Sequence, residues 1–238
     1  MLPFSHAEFL DVFARYNLAI WPAQLVAYVL GAALLAGLLP GRTTRAARLV
    51  PAGLALMWAW TGVAYHWMFF AGINKAAWAF GGLFVLQAAL LAFAAGHQRL
   101  RFEASVATPA RWLGWFLMLY ALVLYPLLGL ATGSGYTQLP IFGVTPCPVT
   151  IFTFGLLLLS SAPVPWWLLV IPVAWSLVGG SAAFLLQIPQ DWLLLLSAGS
   201  LVFMMRRPAG RPEGGPAGRT VRLEYDTVQR PMEPRQGG

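Results

Sequence analysis

Long apolar runs, separated by short polar segments, dominate the pattern of hydrophobic and polar positions along the chain. Seven such runs stand out: residues 17–39, 49–72, 76–96, 112–132, 148–162, 165–187 and 192–205. A helix needs about 20 apolar residues to cross about 30 Å of membrane hydrocarbon, a length that the fifth and seventh runs, with about 15, do not reach. The pattern predicts an all-α fold, a polytopic transmembrane helix bundle with about seven spans that occupies residues 17–205.

The segment before the first run has a different pattern. Residues 1–16 contain Ser5 three positions ahead of Glu8, which is the spacing of a helix capping box. Apolar residues then recur on one helical face of the segment. We therefore predict a short amphipathic helix that lies on the outer membrane interface.

The segment after the last run is polar and of low complexity. Residues 206–238 are rich in Pro, Gly and Arg, which predicts a disordered cytoplasmic tail. Within it, TVRLEYDTV alternates apolar and charged residues from Thr220 to Val228, a pattern typical of a strand that adds to the sheet of a protein partner. Plain disorder is the alternative interpretation of the same nine residues.

The composition of the chain agrees with burial in lipid. Of 238 residues, 59% are hydrophobic and 10% are charged, whereas an ordinary soluble domain has about 25% charged residues. In a soluble protein the formal net charge of +7 would indicate a nucleic-acid partner. Here the basic residues cluster in two short loops and the tail, so we expect the lipid bilayer, and no nucleic acid, as the partner.

The arginine-rich loops predict the orientation of the spans. The Arg residues of these loops are Arg42, Arg45 and Arg48 after the first run, and Arg99, Arg101 and Arg111 after the third. Among the other loops one holds Lys75 alone, one holds no charge and one holds Asp191 alone. Loops rich in Lys and Arg face the cytoplasm, so we predict an outer N-terminus and a cytoplasmic C-terminus.

Ionisable residues are absent from most of the apolar runs. Residues 112–190 contain no Asp, Glu, Lys or Arg, which argues against ion coupling through a buried carboxylate. The last run lacks the lysine that a retinal Schiff base requires. A haem held between two histidines is also disfavoured, because His66 is the only histidine within a run. The sequence therefore indicates no particular cofactor.

Cys147 is the only cysteine of the chain and lies between Pro146 and Pro148. Proline is favoured at the first position of a helix, so we expect a helix that starts at Pro148 with Cys147 as its N-cap. The helix dipole at that position favours an anion or a thiolate. Because the fifth run is short, its start is predicted to lie below the outer surface and to face the bundle interior or a cavity. Alternatively, Cys147 is a small buried residue at a rigid helix start.

Other candidate binding residues lie near Cys147 or at the same predicted depth. Thr145 precedes it, and Thr150 and Thr153 are expected to continue a polar face below it. His66 lies near the outer end of the second run, either as a neutral imidazole bonded to a neighbouring helix or as a ligand. Cys147 and His66 are the candidate metal ligands. The aromatic residues around His66 predict packing and an interfacial belt, or a site for an apolar or cationic ligand.

Several segments of the chain resemble a known family. They are LPFSHAEFLDVFARYN with WPAQ, MWAWTGVAYHWMFF, GVTPCPVTIFTFGLLLL and IPVAWSLVGGSAAFLLQIPQD. These segments are similar to an uncharacterised family of multi-pass bacterial membrane proteins, the domain of unknown function numbered 6064, over residues 1–205. The resemblance implies a bacterial inner-membrane protein and supplies no activity and no catalytic residues.

These observations lead to two functional hypotheses of different classes. The first is a protein that binds or permeates a small solute or metal ion through an outward-facing cavity near the second and fifth spans. The second is a non-catalytic subunit or sensor that acts through a partner bound by its tail, and a homo-oligomer is compatible with either. Catalysis by a Cys147 nucleophile with His66 as base is less favoured, so we expect no enzymatic activity.

Overall fold

The computed structural model describes residues 3–39, 44–102 and 108–200, with side chains from residue 49 onward in the second range. All regular secondary structure in these ranges is helical, which confirms the all-α prediction. The described α-helices are α1 (His6–Ala19), α2 (Ala23–Gly37), α3 (Thr44–Trp60), α4 (Ala77–Gly96), α5 (Pro109–Leu119), α6 (Tyr125–Ala131), α7 (Pro146–Leu158), α8 (Val170–Leu186) and α9 (Trp192–Ala198). The predicted tail, including the segment from Thr220 to Val228, lies outside the described residues.

The first predicted span is divided into two helices. α1 begins with the predicted capping box, in which the Glu8 amide donates to Ser5 Oγ at 3.3 Å and the Ser5 amide donates to Glu8 Oε2 at 2.7 Å. α1 continues to Ala19, and α2 begins at Ala23 at an angle of 85° to it. Pro22 ends the first helix because it has no amide hydrogen to donate. The predicted first span over 17–39 therefore contains an 85° bend, and its first residues belong to α1.

Two segments of the chain are π-helical. Thr61–Phe69 continues α3 without a break, and Tyr120–Leu124 joins α5 to α6. The second segment is explained by Pro126, whose ring clashes with the carbonyl group four residues earlier in a regular α-helix. π-Helical segments are rare and occur frequently at functional sites.

The central helix of the bundle is α7. All of its residues except Cys147 are buried, and it approaches α5 so closely that a Cβ on Gly155 would lie 2.7 Å from the carbonyl oxygen of Gly114. Small residues permit such close contact between apolar helices. The Trp58 indole on α3 also donates to Thr153 Oγ1 at 2.9 Å. α7 is therefore the helix around which α3, α5 and α8 pack.

The chain reverses direction after α8. Gln187 has the left-handed dihedrals φ 55° and ψ 49°, which are typical of a helix C-terminus. Pro189 follows and cannot continue the helix, so the chain forms a 3-10 turn over Pro189–Asp191 before α9. This turn brings Asp191 back towards the start of α7.

The described residues contain fewer candidate membrane spans than the seven predicted. Three helical runs are long and apolar enough to cross a membrane, namely Ala77–Gly96, Pro109–Ala131 and Trp166–Leu186, and the bent α1–α2 pair raises the number to four. The helix from α3 into Thr61–Phe69 is not among them. α7 has 13 residues and α9 has seven. Residues 201–205 of the seventh run lie outside the described ranges.

Candidate functional site

A cavity of about 470 Å³ lies between α1, α8 and the start of α7. Its wall is mainly aromatic and aliphatic, with Phe9 and Phe13 from α1, Tyr65 from the first π-helical segment, and Trp175 from α8. Four polar residues join this wall: Asn74, Cys147, Ser181 and Asp191. Cys147, for which either the bundle interior or a cavity was expected, lines this cavity.

Asp191 is the acidic residue of this cavity, and the sequence analysis did not select it. Only 4% of its surface is exposed. Tyr125 donates a hydrogen bond to Asp191 Oδ1, and the Cys147 thiol interacts with the same carboxyl group. One residue earlier, the Tyr120 hydroxyl donates to the Gln190 carbonyl oxygen at 2.8 Å, which fixes the turn. Asp191 lies one position beyond residues 112–190, whose lack of acidic residues had disfavoured a buried carboxylate.

The charge state of Asp191 is set by burial. Burial raises the pKa of Asp191 from 3.8 to about 6, although the hydrogen bonds from Tyr125 and Cys147 act in the opposite direction. No Lys, Arg or His within the described ranges forms an ion pair with it. The carboxyl group is therefore mostly ionised at neutral pH, with hydroxyl and thiol neighbours but no cation.

Cys147 lies in the first turn of α7, one residue after the helix begins at Pro146. The N-cap is Thr145, with the extended dihedrals φ −126° and ψ 153°, so the prediction of Cys147 as N-cap and Pro148 as first residue is wrong. Both prolines fit because amides of the first helical turn have no acceptor within the helix. Burial and the Asp191 carboxyl group raise the pKa of the Cys147 thiol well above its usual value. The neutral thiol is favoured, and not the expected thiolate.

Trp175 connects the two residues that the sequence singled out. Its indole lies beside the Cys147 thiol, and its ring centroid is 5.1 Å from that of His66. Apart from this interaction with the thiol, the indole N–H has no hydrogen-bond partner in the described part of the chain, although Trp175 is only 8% exposed. Trp175 thus contacts both His66 and Cys147.

His66 itself does not line the cavity. It is fully buried within an enclosure of aromatic rings, and neither ring nitrogen bonds to any described residue. The rings around it have centroids at 4.7 Å for Phe84, 5.2 Å for Tyr65, 6.0 Å for Phe80 and 6.1 Å for Phe70. Burial of this kind favours the neutral imidazole. The predicted bond from His66 to a neighbouring helix is not found.

The three candidate threonines bond to the backbone behind the cavity wall. Thr145, Thr150 and Thr153 each donate to the carbonyl oxygen four residues earlier, at 2.7, 2.8 and 2.7 Å. All three are buried and none lines the cavity. Their hydroxyl groups are therefore bonded to the backbone of α7 and of the segment just before it, and Thr153 also accepts from Trp58.

The residues present do not form a complete metal centre. Within the described ranges, no group of three or more His, Cys, Asp and Glu residues could hold a metal ion. Cys147 and Asp191 lie together, whereas His66 packs against Trp175 and does not line the cavity. Two ligands are fewer than the three or four that protein zinc sites use.

Both π-helical segments supply residues to this region. The first carries Tyr65 in the cavity wall and His66 beside Trp175. The second directly precedes Tyr125, which bonds to Asp191, and begins with Tyr120, which bonds to Gln190. Two departures from regular helix thus meet at one buried carboxyl group, as is typical of functional sites.

Comparison with known proteins agrees with the resemblance seen in the sequence. Neither the curated proteins nor the solved structures contain a match to this chain. The model of the Family of unknown function (DUF6064) matches residues 6–210, which is most of the chain and includes every residue of the cavity from Phe9 to Asp191. The chain belongs to the Family of unknown function (DUF6064).

Proposed function

We propose that this protein is a multi-pass protein of the bacterial inner membrane that binds a small organic cation with an apolar body in the cavity at Asp191. The observation that carries the proposal is the Asp191 carboxyl group, which is buried, lacks a cationic partner within the described ranges and faces an aromatic cavity. A buried carboxylate without a counter-charge is unfavourable, so a cationic ligand is the complementary occupant.

The cavity wall matches the rest of such a ligand. Phe9, Phe13, Tyr65 and Trp175 present aromatic rings, which attract cations and also accept apolar groups. The indole N–H of Trp175, which lies beside the Cys147 thiol, is the N–H donor of this aromatic wall. The volume of about 470 Å³ lies within the usual range for small-molecule sites.

A neighbouring cavity supports movement of the ligand as well as binding. This second cavity, of about 640 Å³, shares Phe9, Phe13, Pro140 and Ile188 with the wall of the first. It also carries more polar residues, including His6, Ser134, Gln138 and Gln190. Two α1 phenylalanines thus separate a polar outer chamber from the carboxyl-bearing inner one. A shift of α1 would join them into a path for permeation.

The single cysteine allows a site-specific binding test. The chain is placed in lipid nanodiscs and Cys147 is alkylated with N-ethylmaleimide, with intact-protein mass spectrometry as the readout. Octylamine, which is protonated at neutral pH, should slow alkylation about tenfold at about ten times its dissociation constant. 1-Octanol, which has the same chain length but no charge, should protect much less.

Two variants, each with one carboxylate replaced, distinguish a role of Asp191 in binding from a general effect of removing a negative charge. Asp191→Asn should abolish protection by octylamine, whereas Asp11→Asn should retain it, because Asp11 is exposed on α1 and pairs with Arg15. Equal protection by octylamine and 1-octanol in the wild type would contradict a cation site. Absence of protection by both would contradict ligand binding in this cavity.

A further inference from the structure

A separate cavity of about 440 Å³ lies at the junction of α1 and α2. Leu18, Trp21 and Leu25 form one side of it, and Pro126 and Leu130 of α6 form part of the other. None of the described residues that line it is charged. The polar residues in its wall include the amides Asn17 and Gln24.

These two amides each have one unsatisfied atom. Asn17 Nδ2 donates to the carbonyl oxygens of Thr137 and Leu139, both at 2.8 Å, and Gln24 Nε2 donates to the Asn17 carbonyl oxygen at 2.7 Å. Asn17 Oδ1 and Gln24 Oε1 have no partner within the described ranges. Each residue is only 8% exposed. Two acceptor oxygens are therefore buried at the cavity without donors.

The orientation of both amides is fixed by their bonds. Exchange of O and N in either side chain would place an oxygen against a backbone carbonyl oxygen, which cannot donate. The unpaired atoms are thus acceptors, and a ligand would have to supply donors to them. Hydroxyl or amino groups do so, whereas a carboxylate or phosphate group does not.

The remainder of the cavity favours an amphiphile. Trp21 and Tyr136 are exposed at its edge, and such aromatic residues are enriched at the boundary between lipid and water. Leu25 on α2 and Leu130 on α6 continue the wall as exposed apolar surface. α6 belongs to a candidate span, and α2 belongs to the bent pair. A polar head at the amides would therefore leave its acyl chain against these two helices.

We propose that this cavity binds a hydroxyl-bearing neutral amphiphile of the monoacylglycerol type, with its hydroxyl groups donating to Asn17 Oδ1 and Gln24 Oε1. The site joins α1 to α2 across the break at Pro22, so the bound head group braces the bend that holds α1 over the Asp191 cavity. This site shares no lining residue with that cavity. The two proposals can therefore fail separately.

Native mass spectrometry of the detergent-solubilised full chain tests this site. Monoolein should bind about tenfold more tightly than methyl oleate, which has the same acyl chain but no donors, as expected for two net hydrogen bonds. Gln24→Met removes one of the two acceptor oxygens and should reduce monoolein binding about threefold. Leu130→Trp should reduce monoolein binding at least to the level of methyl oleate, because it fills the cavity while it leaves both amides and their bonds intact.

Leu127→Trp is the matched control, because Leu127 is exposed on the same helix but does not line the cavity. It should leave monoolein binding unchanged. Equal binding of monoolein and methyl oleate by the wild type would overturn the proposal. Unchanged monoolein binding in Leu130→Trp would overturn it also, even if Gln24→Met fails to fold.

Discussion

The buried carboxyl group of Asp191 makes the stability of the protein depend on pH. Its folded-state pKa is about 6, and its ordinary value is 3.8. Between these values the folded chain binds more protons at this group than the unfolded chain does. The free energy of unfolding therefore falls as pH rises through this window and changes little at this group above it.

The melting temperature of the wild type in nanodiscs should fall as pH is raised from about 4 to about 6, and Asp191→Asn should remove most of that fall. Asn retains an oxygen that accepts from the Tyr125 hydroxyl, so the variant should fold. Asp11→Asn serves as the control and should keep the wild-type slope. A wild-type curve that is flat, or that rises over this range, contradicts the proposed state of Asp191.

The chemistry of the residues around Cys147 and Asp191 could be predicted from the sequence only in part. Pro146 and Pro148 indicated a helix start, because their restrictions act locally on the backbone, but the start was predicted at Pro148 and lies at Pro146. Asp191 is the only acidic residue between Glu103 and Glu213, and that isolation was the available signal. Its burial depends on the turn at Pro189 and on Tyr125, 66 residues away. Local sequence could not indicate that contact.

α5 and α7 are in close contact at Gly114 and Gly155. Gly155→Ala would place a Cβ 2.7 Å from the Gly114 carbonyl oxygen and 2.8 Å from Met118 Cγ. Such overpacking costs about 1–3 kcal/mol, so the melting temperature should fall clearly. Gly82→Ala is the control, because nothing lies within 4 Å of the added Cβ on α4. Equal melting temperatures for Gly155→Ala and Gly82→Ala would contradict the close contact between α5 and α7.

The helices themselves were easier to predict than their roles. Long apolar runs located α4, the Pro109–Ala131 run and α8, because length and composition suffice for a candidate span. The same criterion overestimated the number of spans. α7 is as apolar as a span, yet its side chains contact protein on all sides. An apolar run does not distinguish burial in lipid from burial in a protein core.

The two ends of α7 lie beside different segments of the chain. Ser161, which follows α7, bonds through its amide and hydroxyl to the Arg101 carbonyl oxygen at 2.7 and 3.0 Å. The start of α7 instead lies with Asp191 and with Val144, whose carbonyl oxygen accepts from the Tyr16 hydroxyl at 2.6 Å. α7 thus runs from the cavity end to the end that carries the basic segment with Arg99 and Arg101.

The predicted orientation can therefore be tested by labelling one cysteine at each end of the protein. If the basic segment is cytoplasmic, Cys147 lies towards the outer side, in a recessed position. A small membrane-impermeant maleimide should then label wild-type Cys147 slowly in intact bacterial cells. In the double variant Cys147→Ser with His97→Cys, labelling should require permeabilised cells, because exposed His97 lies at the basic end. The opposite pattern would place the Asp191 cavity on the cytoplasmic side, and the cation would then have to reach it from within the cell.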